Sequence, residues 1–195
     1  MKVDLEAPDA SLAQLAAAGD DHAFNQLVHR HKESLYRMLR RYAGDPEEAY
    51  EAVQEAFIAA WSALDRYNPE RPFGAWLRTI ALNKARDRGR RMKVRRMFFC
   101  AQSFEESAAM EVFDPAMPAD DMVILEQRAR RLDKAIGKLS DALKAPLLLT
   151  VFEGYSQQAA GELLGLSAKT VETRVYRARR LLAAQLDDDM RPSKG

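Results

Sequence analysis

Apolar residues recur every three to four positions along most of this chain, and nowhere is there a convincing strand-like alternation of apolar with polar residues. That spacing gathers apolar side chains on one stripe of a helix, so the chain is expected to be all-α, its helices packed stripe against stripe. Residues 11–18 predict a short helix stopped by Gly19-Asp20. A longer one is expected from about His22 to Tyr42, burying Phe24, Leu27, Val28, Leu35 and Leu39 and ending at Gly44. Asp45-Pro46 opens a third, with Asp45 as N-cap and Pro46 at the first helical position. Its expected core residues are Tyr50, Val53, Phe57, Ala60/Trp61 and Leu64, with Glu47, Glu48, Glu51, Gln54 and Glu55 on another face. The two prolines of 66–72 mark a loop, and a fourth helix follows from Phe73 to about Arg91, burying Phe73, Leu77, Ile80 and Ala81.

Residues 97–120, with Pro115 and Pro118 and no apolar period, read as a linker. Beyond it, 121–138 predicts a helix burying Leu125, Ala129, Leu132 and Ile136. Ser140 is expected to cap the next, 141–153, which Pro146 must kink or delay because it has no backbone N–H to donate. Helices 156–164 and 168–186 complete the chain, joined by Gly165-Leu166-Ser167. The expectation is two small helical domains, 1–96 and 121–187, with a flexible linker at 97–120 and a tail at 188–195. A length of 195 residues accommodates both, and 47% hydrophobic with 30% charged residues is a globular composition.

Function classes narrow quickly. A single cysteine, Cys100, excludes an internal disulfide framework. The N-terminal segment lacks the apolar h-region of a signal peptide, and no run approaches the roughly 20 apolar residues of a membrane span. An enzyme is disfavoured: there is no phosphate-binding glycine loop, nucleophile elbow or metal-ligand cluster. No cofactor, metal or small-molecule substrate is therefore expected. His29 and His31 fall on different faces of one helix and are expected to be surface residues.

Net charge is only +1, but its distribution is uneven. Eight basic residues against one acid lie between Lys84 and Arg96, a second basic cluster runs from Lys169 to Arg180, and six acids without a base lie between Phe104 and Asp121. Two basic blocks flanking an acidic spacer suggest two polyanion contacts. The second block sits in a helix-turn-helix pattern. Gly165 ends one helix, Ser167 caps the next, and Leu166 is placed to staple onto Val171. With Val171, Val175, Ala178 and Leu182 facing the core, Lys169, Thr173, Tyr176, Arg177 and Arg180 point outward, as a helix for the DNA major groove requires. On the fourth helix Trp76, Asn83 and Asp87 share a stripe, with Arg86, Arg88, Arg90 and Arg91 nearby to hold phosphates. An aromatic ring and an amide suit an unpaired base; the competing reading makes Trp76 a core residue and Asn83–Asp87 a surface pair.

Glu51-Ala-Val-Gln-Glu-Ala-Phe57 with Trp61, and Phe73-Gly-Ala-Trp-Leu77 with Ile80-Ala81, Asn83 and Asp87-Arg88, resemble region 2 of bacterial extracytoplasmic-function sigma factors. Gly154-Tyr-Ser156, Leu164-Gly-Leu-Ser167 and Thr170-Val171 through Arg174-Val175, Arg177-Ala-Arg179 and Leu181 resemble their region 4. The resemblance spans roughly 11–90 and 125–186. It implies a sigma subunit, without catalysis of its own, that binds core RNA polymerase on the largest-subunit clamp helices and the flap. Glu47, Glu51, Gln54 and Glu55 would form the polymerase-binding face. Trp76, Asn83, Asp87, Arg88, Arg90 and Arg91, with loop 66–72, would melt and read the −10 element. Lys169, Thr170, Thr173, Arg174, Arg177 and Arg180 would meet the −35 element. The linker would thread through the polymerase. Family membership also implies an anti-sigma factor as partner and a cytoplasmic location in a bacterium, at the membrane where that partner resides there. Two departures stand out: Ala159-Ala160-Gly161 replaces the usual Glu-Ile-Ala, losing a carboxylate and placing a helix-weakening glycine, and Pro146 replaces an ordinary helix former. The alternative is a helix-turn-helix regulator acting without polymerase, which leaves the Trp76–Asn83–Asp87 stripe without a role.

Overall fold

The computed structural model describes residues 7–100 and 121–189, all of whose regular elements are helical. In order they are α1 (Asp9–Ala17), α2 (Asp21–Ala43), α3 (Pro46–Trp61), a 3-10 turn (Leu64–Arg66), α4 (Phe73–Cys100), α5 (Asp121–Lys138), α6 (Asp141–Leu147), a π-helical stretch (Leu148–Phe152), α7 (Gln157–Leu164) and α8 (Ala168–Asp189). The expected boundaries hold within a few residues, save that α4 continues past Arg91 through residues 97–100. Residues 101–120 of the expected linker and 190–195 of the expected tail lie outside the described residues.

Local chemistry sets the helix ends. The Asp20 carboxylate accepts hydrogen bonds from the N–H groups of His22 and Ala23, and that of Asp45 from Glu47 and Glu48. Caps of this kind are worth about 1 kcal/mol each. Gly44 closes α2 at φ +78° and Gly165 closes α7 at φ +66°, left-handed conformations that other residues avoid.

The buried face of α3 holds Val53, Phe57 and Ala60 as expected, with Leu64 buried just beyond, but not Tyr50 or Trp61. Ala49, Ala52, Ala56 and Ala60 fill it beside Val53 and Phe57, so α3 lies close to α2 and α4, whereas Tyr50 is 60% exposed and Trp61 38%. Small residues permit close helix approach, and Tyr50 and Trp61 are left outside or at the edge while Phe57 stays in the core. Trp61 packs against Phe24, with 4.7 Å between ring centroids. In α5, Ile136 is buried and Leu132 half-buried, but Ala129 is exposed; the side chain of Leu125 lies outside the described residues. His31 is likewise no surface residue. Its Nε2 lies 2.6 Å from Asp9, which Arg30 also holds at 2.8 Å, tying α1 to α2.

Pro146 is accommodated without breaking the chain's helical course. The backbone passes through it and widens by one residue per turn over 148–152, and the Thr150 hydroxyl donates to the Pro146 carbonyl at 2.8 Å. Ser140 precedes α6 with extended backbone, but its side chain makes no capping bond.

The two helical units pack on each other. At Gly44 and Gly137 the backbones of α2 and α5 nearly touch: a Cβ on Gly137 would lie 2.9 Å from the Gly44 Cα. The Tyr42 hydroxyl donates to Asp141 at 3.0 Å, and the buried Lys144 ammonium donates to the Tyr42 carbonyl at 3.1 Å. Burial and the adjacent Asp141 push the Tyr42 hydroxyl up, so it stays protonated as a donor. Arg41 approaches Asp133 at 3.6 Å and lies over the Phe152 ring; burial nonetheless raises the Asp133 carboxyl above its ordinary value. Arg78 of α4 donates to Glu153 at 2.6 Å, both side chains mostly buried.

Gly161 corrects the expectation of a weak point in α7. An added Cβ would lie 2.5 Å from the Leu166 carbonyl oxygen, a backbone atom, while the Leu166 N–H donates to the Gly161 carbonyl at 2.8 Å. The turn of the helix-turn-helix is built on that close approach. Gly161→Ala is therefore expected to destabilise the C-terminal unit by about 1–3 kcal/mol, as overpacking does. Thermal unfolding followed by circular dichroism checks this; a melting temperature unchanged or raised contradicts it.

Candidate nucleic-acid and partner interfaces

The C-terminal helix-turn-helix comprises α7 and α8. The Ser167 hydroxyl accepts from the Thr170 N–H at 3.1 Å, Leu166 packs on the core, and Val171, Val175, Ala178 and Leu182 are buried. That register leaves Lys169, Thr173, Tyr176, Arg177 and Arg180 exposed. Lys169 is paired with Glu172 at 2.8 Å, and the Thr173 hydroxyl donates back to the Lys169 carbonyl at 2.9 Å. Arg180 lies over the exposed Tyr176 ring, 5.9 Å from its centroid. The Thr170 hydroxyl is 2.8 Å from that of Ser167, at the start of the helix.

Arg174 stands apart. It is half-buried and lines a cleft of about 300 Å³ together with Arg86 and Arg90 of α4, Asp141 and Pro146. The two basic helices thus meet across one cleft.

On α4, Asn83, Asp87, Arg90 and Arg91 are exposed, whereas Trp76 is half-buried. Its ring lies 5.1 Å from Tyr67 and 5.4 Å from Phe73, within an aromatic cluster that fixes loop 66–72 against α4. The Tyr67 hydroxyl closes that loop by donating to the Arg71 carbonyl at 2.7 Å. Trp76 therefore has a packing role, and its edge still belongs to the same stripe as Asn83.

On α3, Glu47, Glu51 and Gln54 are exposed and Glu55 half-exposed, next to Tyr50 and Ile58, the latter 68% exposed. The Arg88 guanidinium reaches across from α4 to both carboxylates, Nη2 to Glu51 and Nη1 to Glu55 at 3.2 Å. The apolar part of this face was not anticipated. A signal existed: Tyr50, Ile58 and Trp61 share one side of the helix, opposite the row of alanines. The Arg78–Glu153 and Tyr42–Asp141 contacts join residues 75 and 99 positions apart, and no local pattern announces them.

Two small helical units, one with a helix-turn-helix and the other with a basic helix beside an aromatic-braced loop and an acidic, partly apolar face, place the chain in the class of helix-turn-helix DNA-binding proteins. The family models for Sigma-70 region 2 and Sigma-70 region 4 match residues 27–95 and 129–182. RNA polymerase sigma factor CnrH of Cupriavidus metallidurans is 39% identical over 185 residues, covering 94% of this chain and 97% of its own. The ECF RNA polymerase sigma factor SigW of Bacillus subtilis is 33% identical over 173 residues, 87% of this chain and 92% of its own. The solved structure of CnrH in complex with the cytosolic domain of CnrY superposes with a TM-score of 0.65 at 35% identity, covering 95% of this chain and 99% of that one. RpoE of Bartonella quintana, solved with the anti-sigma factor NepR, shares the fold, with a TM-score of 0.61 at 23% identity and coverage of 84% and 96%. The chain belongs to the sigma-70 family of RNA polymerase sigma factors, in its extracytoplasmic-function (ECF) branch.

Proposed function

We propose that this sigma factor docks on core RNA polymerase through Glu47, Glu51, Gln54 and Glu55 of α3, with Tyr50 and Ile58 supplying apolar contact. The observation that carries this reading is the α3 face itself. Its core side is filled by alanines with Val53 and Phe57, yet it holds large apolar side chains in solvent beside three carboxylates and one amide. Exposed apolar surface rimmed by charge is what a protein interface looks like before its partner arrives. A regulator acting without polymerase has no use for it.

The N-terminal unit, taken as 1–96, would open and read the −10 element. Loop 66–72 and the edge of Trp76 would meet the extruded base, Asn83 and Asp87 would offer it hydrogen-bonding groups, and Arg88, Arg90 and Arg91 would hold phosphates. The C-terminal unit, 121–187, would place α8 in the major groove of the −35 element through Lys169, Thr170, Thr173, Arg174, Arg177 and Arg180. The two elements are roughly 25 base pairs apart by their names, or roughly 80 Å along B-DNA at about 3.4 Å per step. With Arg90 and Arg174 lining one cleft, the packed arrangement does not span that distance, so the units separate on the promoter.

No helix among the described residues is long and apolar enough to cross a membrane. The protein is read as a cytoplasmic, non-catalytic polymerase subunit, restrained by an anti-sigma factor that covers the α3 face and recruited to the membrane where that partner sits there. The protein-bound structures of CnrH and of RpoE support such a partner.

Gel filtration of the full chain with core polymerase, followed by transcription in vitro from a genomic promoter library, tests the reading. Co-elution and promoter-specific transcripts are expected. Duplex binding without co-elution selects the polymerase-independent regulator instead. In the same assay Cys100→Ser is expected to transcribe within about twofold of wild type, because serine is close to cysteine in size and what it removes is chiefly the thiol's reactivity and metal affinity. A large loss, or stoichiometric zinc in the purified protein, reveals a sensor.

A further inference from the structure

Arg88 stands between the two surfaces just described, and its partners belong to the other one. Both of its terminal nitrogens are taken by carboxylates of α3, Glu51 and Glu55. Its Nε is buried and has no protein partner, so within this geometry the two glutamates hold the charged end. The Arg88 side chain is 25% exposed, against 55% for Glu51 and 35% for Glu55, so the carboxylates are the side chains more open to solvent and Arg88 is the most sheltered of the three. Two carboxylates face one guanidinium, leaving an excess negative charge on the triad. That excess attracts a cation presented by a docking partner, and any cation that pairs with Glu51 and Glu55 competes directly with Arg88.

We propose that Glu51, Glu55 and Arg88 couple the two interfaces by charge exchange: in the unbound chain the glutamates mask Arg88 from DNA, and docking of a cationic polymerase surface on them releases Arg88 to a promoter phosphate. The inference rests on the sigma reading and deepens it. A guanidinium relieved of its carboxylates in a half-buried position is poorly solvated, so it turns outward to the edge of α4 where Asn83, Asp87 and Arg91 are exposed. DNA affinity then rises only once polymerase is bound, and the same exchange makes polymerase affinity rise on DNA, since coupling is reciprocal. Arg88 is thereby a positioning residue for the docking face in the unbound chain and a phosphate ligand only in the complex.

The test uses the full chain without polymerase and fluorescein-labelled dT20 as the phosphate probe, followed by anisotropy across a salt series. Glu51→Gln with Glu55→Gln keeps the side-chain shape and removes the competing charges. It is expected to bind dT20 roughly tenfold tighter than wild type at low salt, with a salt slope steeper by about one phosphate contact, near 0.7 for a single strand. Adding Arg88→Gln, which retains a stem and amide to bond the α3 side chains, should abolish most of that gain. Glu47→Gln with Glu48→Gln makes the same charge change on α3 away from Arg88 and should give a gain of at most about twofold. Equal gains in the two double variants, or a gain that survives Arg88→Gln in a protein melting normally, overturn the proposal. No gain at all overturns it too. Wild-type co-elution with core polymerase is scored separately, so loss of the sigma reading and loss of the exchange are distinct results.

Discussion

Asn83→Ala is expected to leave polymerase binding and closed-complex formation intact while slowing the opening of a duplex promoter roughly ten- to a hundredfold. Asn83 is exposed on α4 and contributes nothing to the core, so its replacement leaves the fold undisturbed. On the proposed function, what it removes is an amide placed to pair with the edge of an unstacked base, a contact that would be worth about 1–3 kcal/mol. Each 1.4 kcal/mol is a factor of about ten. Permanganate footprinting reads the opened strand directly, and a template with a pre-melted bubble should restore most of the activity. The companion variant Trp76→Ala behaves differently, because its ring also braces Tyr67 and Phe73. It should lower the melting temperature as well as opening, and the bubble should rescue only the fraction that folds. Duplex opening by Asn83→Ala at the wild-type rate removes that residue from strand separation.

The second large effect concerns the packing of the two units. Glu153→Ala leaves Arg78 mostly buried without its carboxylate, although the guanidinium keeps a bond to the Gly74 carbonyl. Breaking a buried pair from one side strands a charge and costs about 3–5 kcal/mol, less for the partial exposure here. The least costly relief is for the units to part and let Arg78 reach water. Gly137→Val tests the same interface by shape alone, since even a Cβ there meets the Gly44 backbone at 2.9 Å. Small-angle scattering should give wild type a radius of gyration near the roughly 16 Å of a compact chain this long. Both variants should be several ångströms larger, with helicity unchanged. A variant as compact as wild type means this interface does not hold the units together.

Much of this was legible in the residues alone. Caps and stops are local: Asp45, Ser167, Gly44 and Gly165 each act on backbone groups within a few positions, and each lies where the pattern put it, while Asp20, expected only as part of a stop, also caps α2. The core stripe of α8 was equally legible, because Val171, Val175, Ala178 and Leu182 offer one unambiguous apolar face. On α3, Val53, Phe57 and Ala60 lie in the core as expected, but Tyr50 and Trp61 do not, for a physical reason. Burial follows how closely helices approach, and four alanines permit an approach that leaves Tyr50 outside, whereas periodicity alone aligns Tyr50 with Val53 and Phe57. Gly161 misled in the same way: helix propensity marks it as weak, but the Leu166 carbonyl fills the space a side chain would need.

The sequence by itself determined that the chain is helical, where its helices start and stop, and that two basic segments and an acidic helix face belong to the sigma-factor pattern. All of these depend on residues within one or two helical turns of each other, so the information is local. Tertiary structure alone decided which charges meet. Arg88 lies between Glu51 and Glu55, 37 and 33 positions away, Arg78 against Glu153, and Arg174 in one cleft with Arg86 and Arg90. Long charged side chains carry no periodic signature, and their partners are fixed by how the apolar faces stack. The packing of Gly44 on Gly137 and of alanines beneath α3 thus sets which side chains are already paired and which still face outward.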